Sequence, residues 1–157
     1  MEIRPYRRND QDACLAIFES NVPDYFHPHD RHDFMAFLDD LPGPYFVCAL
    51  PERGVKACGG YYTQAEAQVA SLTWGMVHCD HHRQGIGRTL LEYRLAEIRA
   101  IPQIRTVRAR TTHVTEGFFR RYGFVTSARR ADGFGPGLDL VELELQLTSS
   151  ITARSPL

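Results

Sequence analysis

Apolar and polar residues alternate most clearly over Val69–Val77. Val69, Ser71, Thr73 and Gly75 fall on one side, and Ala70, Leu72, Trp74 and Met76 on the other. A period of two predicts a strand. Downstream the period changes: Ile86, Leu90, Leu91, Leu95 and Ile98 recur at helical spacing, which predicts a long helix. The rest of the chain falls into order around this pair. Residues 2–6 read as a short first strand. Asn9 or Asp10 is placed to cap a helix carrying Cys14, Ile17 and Phe18. A break over residues 21–28 contains two prolines. Asp30 then caps a second helix with Phe34, Phe37, Leu38 and Leu41, stopped by Leu41-Pro42-Gly43-Pro44. Tyr45–Leu50 and residues 55–63 read as strands around the turn Pro51-Glu52-Arg53-Gly54. After the long helix, ended by Ile101-Pro102, residues 106–111 predict a strand. Residues 114–122 predict a short helix closed by Gly123. Residues 124–130 and 138–147 predict an antiparallel pair joined by the glycine-rich 132–137. Residues 148–157 are polar and small and read as a frayed tail. There are no repeats and no linker, so residues 1–147 read as one domain.

Composition narrows the class. A chain of 157 residues with 43% hydrophobic and 11% aromatic residues can bury a real core. A formal net charge of −1 gives no basic excess to suggest nucleic acid as the main partner. No apolar run reaches the length of a membrane span, and Met1-Glu2-Ile3-Arg4 does not read as a secretory signal. Cys14, Cys48, Cys58 and Cys79 form no Cys-x-x-Cys pair. A reduced, cytoplasmic thiol set is the expectation.

The chemistry concentrates between the strand and the long helix, in Val77-His78-Cys79-Asp80-His81-His82-Arg83-Gln84-Gly85-Ile86-Gly87-Arg88-Thr89. Gly85 and Gly87 lack a Cβ, so backbone amides can lie close to a ligand. The first amides of a helix have no internal partner, and the helix dipole adds positive charge there. That combination binds phosphate, and Arg83 and Arg88 add full charges suited to a diphosphate. A Gly-x-Gly turn before a helix is also often only a turn. Two phosphate motifs fit poorly. A P-loop needs Gly-Lys-Ser/Thr, and Gly87-Arg88-Thr89 lacks the lysine. A dinucleotide fingerprint needs glycine at Leu90 and an acidic residue near Val107.

The same stretch resembles the acetyl-CoA-binding motif of the GNAT N-acetyltransferase superfamily, Arg/Gln-x-x-Gly-x-Gly/Ala with a strand-ending valine five residues before the Arg/Gln. Val77, Gly85 and Gly87 match in register, while His82 stands at the Arg/Gln position. Phe118-Phe119-Arg120-Arg121-Tyr122-Gly123-Phe124 resembles the family's late motif. Its Gly-Phe is present, and Phe119 stands where the motif has tyrosine. The order of elements over residues 2–147 is also the family's. The resemblance implies an α/β fold of the α+β type, with a mixed, mostly antiparallel six- to seven-stranded sheet and about four helices. Two strands, Val69–Val77 and 106–111, are expected to splay around the cofactor.

The resemblance further implies acetyl-CoA as cosubstrate and direct transfer of its acetyl group to a primary amine, without a metal. Met76 and Val77 would offer backbone to pantetheine. His82, Arg83, Gln84, Gly85, Ile86, Gly87, Arg88 and Thr89 would form the diphosphate cradle, with Phe119 beside them. The family's tyrosine protonates the leaving thiolate, and a phenyl ring cannot. His113, after the second splayed strand, titrates in a useful range, and Tyr122 lies three residues beyond Phe119. These two are the candidate acids. Cys79, Trp74, Glu19 and Asp24 are weaker candidates, and one of Tyr61 and Tyr62 should face substrate. A second copy of the chain is a further candidate partner. Two other classes stay open. A binding module of this fold without catalysis is motivated by Phe119 and His82. A metal protein is motivated by His27, His29 and His32, and by His78, His81 and His82.

Overall fold

Seven strands form one sheet in the order β1-β2-β3-β4-β5-β7-β6 in a computed structural model that describes residues 1–148. The strands are β1 (Glu2–Pro5), β2 (Tyr45–Leu50), β3 (Gly54–Gln64), β4 (Val69–Val77), β5 (Thr106–Thr112), β6 (Val125–Arg130) and β7 (Leu140–Gln146). The helices are α1 (Gln11–Ser20), α2 (Asp30–Asp39), α3 (Ile86–Arg99) and α4 (Glu116–Arg120). Apart from Thr148, the expected C-terminal tail lies outside the described residues. Every strand pair is antiparallel except β4–β5, so the mixed α/β sheet expected from the sequence is observed.

Two apolar layers cover the sheet. On one face, Ile86, Leu90, Leu91, Leu95 and Ile98 of α3 pack on Ala57, Ala70, Val107 and Leu143, with the α4 aromatics alongside. On the other, Cys14, Ile17 and Phe18 of α1 and Phe34 and Leu38 of α2 pack on Val47, Cys58 and Met76. The helical spacing of these residues is what lets each helix bury one stripe.

Three local expectations are corrected. First, Asp10 does not cap α1 through its side chain. Its carboxylate is buried and accepts from Arg4 Nη1 and Nη2, both at 2.8 Å, and from the Arg7 N–H at 2.8 Å. Second, Ala70, Leu72, Trp74 and Met76 do not share a face. Ala70 and Leu72 belong to the α3 layer, Trp74 and Met76 to the α1–α2 layer. Gly60 pairs with Thr73 and Cys58 with Met76, so Gly59 alone opposes both Trp74 and Gly75. This bulge adds a residue to β4 and reverses its alternation, with Trp74 at φ +37°. Third, α4 is shorter than expected. Residues 114 and 115 form a turn in which the Thr111 and Thr115 hydroxyls bond each other.

Candidate active site

The parallel pair is short. β4 and β5 meet only at Val69–Thr106, Ala70–Val107 and Ser71–Arg108. Beyond these, β4 follows β3 to Val77 and β5 follows β7 to Thr112. The two strands therefore part, and a cleft of about 1740 Å³ opens between and around them. The bulge helps, because Gly75 in β4 is exposed to the opening.

The cleft ends at the start of α3. Gly85 is the helix N-cap in the left-handed region, at φ +81°, a conformation that favours glycine. The Thr89 N–H donates to the Gly85 carbonyl at 3.1 Å. The amides of Ile86, Gly87 and Arg88 precede that bond and have no partner within the helix. A Cβ on Gly87 would meet Val77 Cγ2 at 3.6 Å and the Phe118 ring at 3.8 Å, which is ordinary contact. Arg83 also sits at positive φ, +61°. That costs a non-glycine residue energy.

Val77 is held from two sides. Its carbonyl accepts from Asn21 Nδ2 at 2.9 Å and lies 2.8 Å from His82 Nε2. A carbonyl only accepts, so Nε2 carries the proton. The neighbouring His78 N–H bonds the Lys56 carbonyl on β3 at 2.8 Å. By strand alternation, the Val77 N–H and C=O both face the gap. With the carbonyl engaged, the N–H is left towards the cleft. The Nε2 of His82 is thereby spent on the main chain, and its ring meets Tyr25 edge-on at 5.1 Å.

Of the residues expected at the cofactor, Met76, Val77, His82, Arg83, Gly85, Gly87, Arg88 and Phe119 line the cleft together, with Tyr122 beside them. Gln84, Ile86 and Thr89 do not. Gln84 is exposed and reaches the Asp80 carbonyl at 3.4 Å, Ile86 is core, and the Thr89 hydroxyl returns to the Gly85 carbonyl at 3.0 Å. His113 does not reach the cleft either. Its ring is exposed, and Nδ1 accepts from the Asp139 N–H at 3.2 Å. Tyr122 lies against Phe118 at 5.2 Å. Tyr62 faces the cleft, while Tyr61 is buried in the α3 layer, and burial pushes its hydroxyl pKa up. Glu19 pairs with Arg31 at 2.9 Å on the surface.

Among the described residues, no three of the candidate histidines bring their ligand atoms within 4.8 Å of one another. The His27 and His29 rings lie on each other at 3.3 Å, and His81 is buried, 3.4 Å from the Gln84 amide oxygen. Among the described residues, the one group whose ligand atoms lie within 4.8 Å of one another is His78, Cys79 and Asp80. Burial holds the His78 pKa below the ordinary histidine value.

Asn21 and Arg94 are among the cleft residues that escaped sequence reasoning. Asn21 follows α1 and reads there as a break. Arg94 lies in the apolar stripe of α3, four residues after Leu90 and four before Ile98, and that spacing was its signal. On the α1–α2 side the cleft is aromatic and acidic, with Tyr25, Phe26, Phe37 and Trp74 beside Asp30 and Asp33.

Among solved structures, the ribosomal-protein-S18-alanine N-acetyltransferase of Escherichia coli superposes with a TM-score of 0.78 at 17% identity, covering 97% of this chain and 97% of that one. The yncA protein of Salmonella typhimurium, solved with its cofactor acetyl-CoA, gives 0.72 at 21% identity, with 99% of each chain covered. An aminoglycoside 6'-N-acetyltransferase complexed with coenzyme A gives 0.73 at 12% identity, covering 95% of this chain and 98% of that one. At these identities the likeness is one of fold. A search of curated proteins gave no match. A family model described as the acetyltransferase (GNAT) domain matches residues 42–126, which takes in the bulged strand, the glycine turn and α4. By that match over more than half of its length, the chain belongs to the GNAT acetyltransferases.

Proposed function

We propose that the protein is an acetyl-CoA-dependent N-acetyltransferase that transfers acetyl directly to a primary amine. The observation that carries this is the wedge between β4 and β5, which runs into the unpartnered amides at the start of α3. The cradle fits the group. The Gly87 and Arg88 amides suit a diphosphate, and Arg83 and Arg88 supply charge at the same edge. Acetyl-CoA supplies an activated acyl thioester.

The chain's own groups would then divide the work. The Val77 N–H donates into the gap, and a fixed amide stabilises negative charge developing on an acyl oxygen. Asn21 and His82 position that amide through the Val77 carbonyl. Asp30 and Asp33, with the aromatic mouth, suit a cationic amine. The amine must shed a proton before it attacks. Of the two acid candidates, Tyr122 borders the cleft and His113 does not, so we assign the thiolate's proton to Tyr122. The chemistry needs no metal. No helix among the described residues is long and apolar enough to cross a membrane. All four cysteines are free, which fits a cytoplasmic setting.

The test is release of free CoA thiol from acetyl-CoA across a panel of primary amines. Amine-dependent release is expected for at least one member. CoA binding without release by any amine would favour a binding module instead.

A further inference from the structure

Arg94 is a buried cation without a counter-ion. The residue is 4% exposed, at the middle of α3 on the face that meets the sheet. Its Nε donates to the Leu90 carbonyl and its Nη1 to the Gly60 carbonyl, both at 3.4 Å, which is long. No carboxylate pairs with it among the described residues. The titratable groups that act on it are the Tyr45 hydroxyl and the Cys58 thiol, and burial lowers its pKa to about 10. Among the described residues, Nη2 has no hydrogen-bond partner.

The chain clears room for this guanidinium. A Cβ on Gly75 would lie 2.9 Å from Nη2, and one on Gly59 3.1 Å from the guanidinium carbon. A side chain at either bulge position would crowd the guanidinium and displace it from this place. Gly75 is exposed to the cleft, and Arg94 borders the cleft beneath it. The charge therefore stands under the β4 bulge, beyond the last β4–β5 pair at Ser71–Arg108, on the floor of the open part of the wedge.

A desolvated guanidinium without a counter-ion is destabilising. It also binds a carboxylate strongly, because its planar fork matches two oxygens and little water competes. We propose that Arg94 is a carboxylate-recognition residue at the floor of the cleft, which selects a small acid as one of the two substrates. The inference rests on the acetyl-CoA reading above. The carboxylate has two possible sources: the distal end of a dicarboxylic acyl thioester, or the carboxylate of an amino-acid acceptor.

The experiment is calorimetric and has two arms, run on the wild type and on Arg94→Met. In the donor arm, succinyl-CoA is compared with acetyl-CoA. In the acceptor arm, with CoA bound, each standard amino acid is compared with the amine left when its carboxylate is removed. Wild type should favour the carboxylate-bearing member in one arm by about tenfold or more. Arg94→Met should abolish that preference while keeping its affinity for CoA. Methionine fills similar space without a charge, so this variant should fold with an unchanged or higher melting temperature. Arg94→Lys, which keeps the charge and loses the fork, should retain part of the preference and serves if the methionine variant misfolds. No carboxylate preference in either arm by a CoA-binding wild type overturns the proposal. So does a preference that survives Arg94→Met, which would leave the residue as a strut for the Gly60 carbonyl. A wild type that binds no CoA overturns the acetyl-CoA reading and this inference with it.

Discussion

Tyr122 and Phe119 sit one helical turn apart beside the same cleft, and only one carries a hydroxyl. If Tyr122 delivers the proton, Tyr122→Phe should lower kcat by about 10²-fold with little change in affinity for acetyl-CoA. Phe119 packs edge-on against Phe118 at 5.3 Å and Phe124 at 5.4 Å. Adding Phe119→Tyr to the Tyr122→Phe variant should restore part of the lost rate. Pre-steady-state turnover on both variants checks this. A double variant as slow as the single one removes position 119 from the proton path. His113→Ala, away from the cleft, should leave kcat and its pH profile unchanged. A lost pH limb in that variant would return the role to His113.

Asp10 gives a residue-scale prediction on stability. The Arg4 hydrogen bonds hold its carboxyl below the usual range, against the opposing effect of burial. A lowered pKa stabilises the fold above the ordinary carboxylate value, near 4. That stability is lost as pH falls through the folded-state value. Asp10→Asn should therefore cost about 2 kcal/mol at neutral pH, and the cost should shrink as pH falls below the ordinary carboxylate value. Denaturant melts of both proteins across that range measure it. A pH-independent difference would mean that the cost comes from packing.

Among the elements, the turn into α3 and the bulge in β4 shape the cleft. The turn was legible because a change of hydrophobic period and two glycines mark it in any context. The strand bounds of β4 were legible for the same reason. The bulge was not, because alternation continues through Trp74 and Gly75 in the sequence while Gly59, on another strand, decides the register. The splay was equally silent, since backbone separation leaves no residue pattern, and it entered only through the family resemblance. Asn21 and Arg94 were overlooked because a polar residue after a helix reads as a stop and an arginine in a helix reads as solvent-facing. Gly85 allows a clean test of the turn. A Cβ there would meet nothing within 4 Å, so any cost is backbone strain at φ +81°. Gly85→Asn, which tolerates the left-handed region, should keep most of the CoA affinity, and Gly85→Val should lose it. Equal affinities in titrations of the two variants would show that the turn does not form the cradle.

At the scale of the whole molecule, two covered faces fix the sheet, and the break in its parallel pair supplies the opening. Helices α1 and α2 cover one face of the sheet, and α3 and α4 cover the other. A ligand seated in that opening bridges both halves and should stabilise the entire fold. The most direct measurement is the melting temperature against acetyl-CoA concentration. Binding to the folded state alone adds about 2.7 kcal/mol at 100 times Kd. For a domain of this length, each kcal/mol corresponds to about 2–4 °C. The account predicts a shift of about 5–10 °C that grows with acetyl-CoA, with a smaller effect from adenine dinucleotides. No shift at millimolar acetyl-CoA, or an equal shift with a dinucleotide, would contradict it.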